Sequence, residues 1–170
     1  ISAGIAAYYI FSPKAPEMMA ITTADGERKE IKLEDGSTVV LNENSKLVFP
    51  ASFGAERAVR LSGEGYFSIA RDVERRFSIS CPNAFVEVLG TSFNLRAYPE
   101  ENFAEVEVES GQVRFSAPDQ ASPKILTANH VAVIHSENEN ALTIEAKEVP
   151  ALNAQVWRPN SLVFRDTKMD

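Results

Sequence analysis

The strongest constraint on this chain is a rhythm. From Ile21 to Val149, apolar residues come in short groups that alternate with polar ones, and turn residues separate the groups at intervals of about eight to twelve positions. The groups are Ile31–Leu33, Thr38–Leu41, Leu47–Phe49, Ala58–Leu61, Tyr66–Ala70, Phe77–Ser80, Phe85–Leu89, Phe93–Tyr98, Ala104–Glu109, Gln112–Ser116, Lys124–Thr127, His130–Ile134 and Leu142–Val149. No sustained helical period appears. Strands this short, without helical crossovers, predict an all-β fold of many mainly antiparallel strands, in a twisted solenoid-like or sandwich arrangement.

The turns carry their own chemistry. Asp35-Gly36 lies between two groups and suits a two-residue hairpin that needs positive φ. Gly63 and Gly65 predict a tight turn or bulge, after which Tyr66 and Phe67 enter the next strand. In Phe103–Glu109, Glu105, Glu107 and Glu109 share one face, and Ala104, Val106 and Val108 share the other. This is a half-buried strand with a solvated acidic face. Ser110-Gly111 then predicts a hairpin in which Arg114 lies across from one of those glutamates.

At 170 residues the chain is long enough for one domain with a real core, and 44% apolar with 24% charged residues is ordinary globular composition. The formal charge of −7 and pI near 5.0 argue against a nucleic-acid partner. Residues 1–11 are uncharged and too few to span a bilayer, which takes about 20 apolar residues. They read as the trailing part of a membrane helix, with Tyr8 and Tyr9 at its interface, and Pro13 and Pro16 stiffen the linker that follows. The expected division is a membrane-proximal segment and linker at 1–16, a β-domain at 17–156, and a junction with the first strand of a further domain at 157–170. Residues 161–165 read as an orphan strand. With Trp157, it offers Leu162 and Phe164 as partner-binding residues, since an unpaired strand can add to another sheet.

The residues yield no catalytic, metal or cofactor site. Leu61–Phe67 lacks the frame of a nucleophile elbow and has no phosphate-binding lysine. His130 and His135 are five apart, so one extended strand sends them to opposite faces. Cys81, the single cysteine, has no cation within two residues and reads as a structural thiol. Glu100-Glu101 and the pair Glu137/Glu139 lie in polar, loop-like stretches. An alternative to a protein-binding role is a β-module that holds a glycan or small ligand on several aromatics.

The order of the turn motifs adds a resemblance. Ile31-x-Leu33-x-Asp35-Gly36-Ser37-x-Val39-x-Leu41-Asn42-x-x-Ser45-x-Leu47 resembles the opening signature of the FecR family, the extracytoplasmic parts of single-pass anti-sigma factors. Three later pieces agree in order: Arg57-x-Val59-x-Leu61-x-Gly63-Glu64-Gly65-x-Phe67; Val88-Leu89-Gly90-Thr91-x-Phe93-x-Leu95; and Val106-x-Val108-x-x-Gly111-x-Val113. Trp157-x-x-Asn160-x-Leu162-x-Phe164-x-Asp166 looks like the family's junction with a C-terminal signalling domain. Ala128-Asn129-His130 departs from the pattern where a glycine turn is common; Asn tolerates positive φ there. The motif residues Asp35, Gly36, Ser37, Gly63, Gly65, Gly90, Thr91, Phe93 and Gly111 thus mark turns and core. The resemblance, of Bacteroidetes type, implies the periplasmic domain of a single-pass inner-membrane protein without a cofactor. Such a protein would relay a signal from the signalling domain of a TonB-dependent outer-membrane transporter to an extracytoplasmic-function (ECF) sigma factor held by a cytoplasmic segment.

Overall fold

A computed structural model describes residues 16–118, 123–137 and 141–148, and these contain thirteen strands and no helix. In chain order they are β1 (Met18–Thr22), β2 (Lys29–Lys32), β3 (Thr38–Leu41), β4 (Lys46–Pro50), β5 (Arg57–Ser68), β6 (Phe77–Ser80), β7 (Phe85–Val88), β8 (Ser92–Ala97), β9 (Phe103–Ser110), β10 (Gln112–Ser116), β11 (Lys124–Thr127), β12 (His130–Glu137) and β13 (Ala141–Glu148). The all-β expectation is met. Every pairing is antiparallel except β5 with β6.

Two sheets share one strand. The first runs β1-β4-β5-β6-β7-β10-β11 and the second β2-β3-β5-β8-β9-β12-β13. The N-terminal half of β5 pairs with β4 and β6, and its C-terminal half with β3 and β8. Gly63, at φ +111°, stands where the strand changes sheet. A Cβ there would lie 2.3 Å from Ser45 Oγ and 2.7 Å from Ser45 Cα, so β4 approaches to a distance that only glycine permits. The turn expected at Gly63 and Gly65 is therefore a bend inside one twelve-residue strand. Bend and break look alike in sequence because both need a glycine among apolar residues.

The inner faces of both sheets form one core. Leu47, Leu61, Phe77, Ile79, Val86 and Phe115 come from the first; Val39, Phe67, Phe93, Leu95, Val106 and Ile134 come from the second. Phe67 and Phe93 stack with centroids 5.3 Å apart, and Phe53 meets Phe77 edge-on at 5.8 Å. Each fully buried phenylalanine contributes about 2–3 kcal/mol relative to exposure.

The expected turns are met in part. The β2–β3 hairpin closes through Leu33 N–H to Ser37 O, with Gly36 at φ +85°; its loop has three residues, one more than expected. Asn129 adopts φ +65°, so it does replace glycine. The hairpin expected between β9 and β10 does not form. The chain leaves the second sheet at Gly111, and β10 inserts between β7 and β11 in the first. Arg114 accordingly faces Glu87 of β7, at 3.0 Å, and not a glutamate of β9. Strand β1 falls outside the expected groups because Met18–Thr22 lacks alternation. It pairs along β4 from Met18↔Pro50 to Thr22↔Lys46.

Candidate functional site

The motif residues converge on two buried polar fixtures and one surface corner. In the first fixture, the Asp35 carboxylate accepts from Ser37 N–H and Oγ–H, which shapes the hairpin turn, and pairs with Arg57 Nη1 at 2.9 Å. Arg57 is fully buried at the start of β5. It also donates to the carbonyls of Ala70, Asp72 and Arg75, and its guanidinium lies 5.6 Å from the Phe77 ring centroid. Ser37 Oγ in turn accepts from Ala70 N–H. A charge at this depth is tolerable because its donors meet oxygens.

The second fixture is Glu64, where β5 crosses the second sheet. Its carboxylate accepts from Asn42 Nδ2 at 2.9 Å and Asn94 Nδ2 at 2.8 Å, with Arg96 Nη1 at 3.5 Å. Both amide donors are thus turned towards the carboxylate. Asn94 Oδ1 is left without a partner among the described residues. Arg96 also binds Glu101 through both arms of its fork and stacks over Tyr98 at 5.0 Å. Beneath it Glu105, on β9, is pushed to a higher pKa, first by burial and further by Glu64 and Glu101, with Arg96 opposing. The acidic face of β9 is therefore not freely solvated: Glu105, Glu107 and Glu109 are half-buried, and the Tyr66 hydroxyl donates to Glu109.

At the surface corner, Thr91 Oγ1 donates to Gln112 O at 2.8 Å and accepts from Gln112 N–H. A Cβ on Gly90 would meet Arg71 Cα at 2.6 Å, and one on Gly111 would meet Thr91 Oγ1 at 2.8 Å. This close backbone packing shapes a cleft of about 380 Å³ lined by Arg71, Arg76, Glu87, Leu89, Thr91 and Arg114, among others. Glu87 contacts both Arg76, at 3.4 Å, and Arg114, at 3.0 Å. A second, more apolar groove of about 490 Å³ crosses the outer face of the first sheet between Met18, Val48, Pro50, Ala58 and Arg60.

The strand registers also separate charge. Outward positions of the first sheet carry Lys46, Arg60, Arg76 just before β6, and Arg114, against Glu56 just before β5 and Glu87. Outward positions of the second carry Glu30, Glu64, Glu105, Glu107 and Glu109 against Lys32 and Arg96. The molecule has a cationic face and an acidic one.

Other sequence candidates are less concentrated. His130 pairs with Val108 and His135 with Phe103 across the β9 ladder, and the His130 ring lies against the Thr127 and Ala128 carbonyls. No group of three metal-ligating side chains exists among the described residues. Cys81 is a free thiol packed against the core, and burial pushes it up to about 12. Of Glu100-Glu101, Glu101 is engaged by Arg96. The clefts described above have no aromatic lining. Residues 1–11, the orphan strand, Trp157, Leu162 and Phe164 lie outside the described residues. No helix among the described residues is long and apolar enough to cross a membrane. Arg57 and Glu64 escaped prediction as fixtures. For Arg57 the signal was available, since it shares the parity of Val59 and Leu61.

Fold and fixtures together define an all-β scaffold whose motif residues build turns, close approaches and core. The family model for FecR protein matches residues 19–114, from β1 into β10. The chain belongs to the FecR family. Two crystal structures of proteins assigned as anti-sigma factors from Parabacteroides distasonis ATCC 8503 are similar to it. One shares 30% identity at a TM-score of 0.76, covering 83% of this chain and 64% of that one. The other shares 31% at 0.74, covering 82% and 64%. The chain thus spans less than two thirds of either neighbour's length. No curated protein matches the sequence at a significant level.

Proposed function

We propose that this chain is the periplasmic β-domain of a membrane-anchored, non-enzymatic anti-sigma factor. It would relay a signal from the signalling domain of a TonB-dependent outer-membrane transporter to an ECF sigma factor. One observation carries the reading: the FecR match coincides with β1 to β10, and within it the motif residues serve architecture, as expected of a scaffold that presents surfaces. The likeness to two proteins assigned as anti-sigma factors supports the regulatory role.

Calorimetry of the full-length protein against the transporter's signalling domain tests the relay. Binding is expected, with loss of at least about tenfold in affinity for Leu162→Asp and Phe164→Asp and a smaller loss for Trp157→Ala. Unchanged affinity in all three variants removes those residues from the interface. No binding by the unaltered protein, together with no co-purifying sigma factor, rejects the reading.

A further inference from the structure

We propose that the corner cleft bounded by Arg71, Arg76 and Arg114 binds a carboxylate-rich segment of a protein partner. Three arginines line a concavity of about 380 Å³ whose lining carboxylate is Glu87 alone. The cleft therefore carries local positive charge on a chain whose formal charge is −7. Arg71 and Arg76 come from the loop before β6 and Arg114 from β10; of the two acids between the loop arginines, Asp72 is turned to Arg75, and neither Asp72 nor Glu74 lines the cleft. Guanidinium forks match carboxylates in bidentate geometry, which makes arginine suited to this chemistry where lysine offers only a point charge.

The three arginines differ in engagement. Arg114 and Arg76 are tethered by Glu87, Arg114 closely and Arg76 at the longer distance, so both heads are held at the cleft with donors to spare. Arg71 is exposed and makes no ion pair among the described residues. Its backbone is pressed against Gly90, which fixes where its side chain begins. Leu89, 37% exposed, adds an apolar contact at the rim. Such a lining favours a short peptide with two or three carboxylates and an apolar residue.

A nucleic acid is the poorer occupant. A duplex presents one charge per about 1.7 Å and is held by several phosphate contacts in a row, more than the three arginines of this compact cleft supply. A short acidic segment meets the cleft within a Debye length of about 10 Å, where local charge outweighs the distant field. Failure of the transporter relay would leave this cleft chemistry unchanged.

The test is fluorescence anisotropy with a labelled peptide of alternating glutamate and leucine, against a matching glutamine peptide and a single-stranded oligonucleotide of equal charge. At about 50 mM salt the glutamate peptide is expected to bind at least about tenfold more tightly than either control, and to weaken at about 300 mM salt. Arg71→Glu and Arg76→Glu, both at exposed positions that leave the fold intact, should each lower affinity about tenfold. Lys32→Glu on the opposite sheet should leave it unchanged. Equal binding of the glutamine peptide, preference for the oligonucleotide, or indifference to both arginine reversals overturns the proposal.

Discussion

Asp35 and Arg57 form an ion pair at 2.9 Å with both side chains essentially out of solvent, and it joins the turn of one hairpin to the first residue of the strand shared by both sheets. The pair ties Asp35-Gly36-Ser37, usually read only as a turn motif, to the backbone carbonyls of Ala70, Asp72 and Arg75. The turn is thus a long-range clamp as well as a local reversal.

Breaking that clamp from either side should be costly. Asp35→Ala leaves a buried guanidinium uncompensated, and Arg57→Lys cannot reach the carboxylate and the surrounding carbonyls together; each is expected to lose about 3 kcal/mol in urea unfolding. A double-mutant cycle of Asp35→Ala with Arg57→Met should give a coupling energy of at least about 1 kcal/mol. Additive losses would show that the two residues act separately.

The two kinds of glycine should separate cleanly. Gly63→Ala combines positive φ with a Cβ 2.3 Å from Ser45 Oγ, and a loss of more than about 3 kcal/mol is expected. Gly26, at φ +68° with nothing within 4 Å of its Cβ, should lose only about 1 kcal/mol on the same change. Adding Ser45→Gly to Gly63→Ala should recover only part of the loss, since Ser45 Cα already lies at 2.7 Å. Equal losses at Gly26 and Gly63 would mean that close approach to β4 contributes nothing.

What could be read in the sequence was local. Alternation in Thr38–Leu41, Phe77–Ser80 and Gln112–Ser116 marks strands because one face of each meets the core, and Asp35-Gly36 marks a turn because the backbone there needs positive φ. Pairing was not local. Nothing between Glu109 and Arg114 distinguishes a hairpin from a crossing to the other sheet; the difference lies in β7, more than twenty residues earlier, whose Glu87 receives Arg114. The buried fixtures were hidden for the same reason. Glu64 looks like a surface charge until Asn42, just after β3, and Asn94, on β8, supply its donors. The cationic cleft draws Arg71 and Arg76 from the loop before β6 and Arg114 from β10, so no single motif announces it.

Cys81 should behave as an inert thiol. With its acidity suppressed to about 12 by burial of the thiol against the core, the thiolate population at about pH 8 falls well below that of an open cysteine. Alkylation by iodoacetamide in the folded protein is therefore expected to be slower than in urea by at least about tenfold, and equal rates would contradict the burial.

Glu105 offers a test of the acidic face through pH. Its ionisation is raised in the folded chain because burial penalises the carboxylate, with Glu64 and Glu101 adding to the effect and Arg96 working against it. The folded state therefore holds this proton more tightly than the unfolded state does. The contribution to stability is full below the unfolded value, near 4.5, and is lost as pH rises through the higher folded value. Glu105→Gln removes the penalty without changing the side chain's shape, so it should raise the urea midpoint at about pH 7 and bring little or no gain at about pH 4. If Arg96 were the dominant influence, the sign would reverse, and the glutamine variant would be less stable at neutral pH than the unaltered protein.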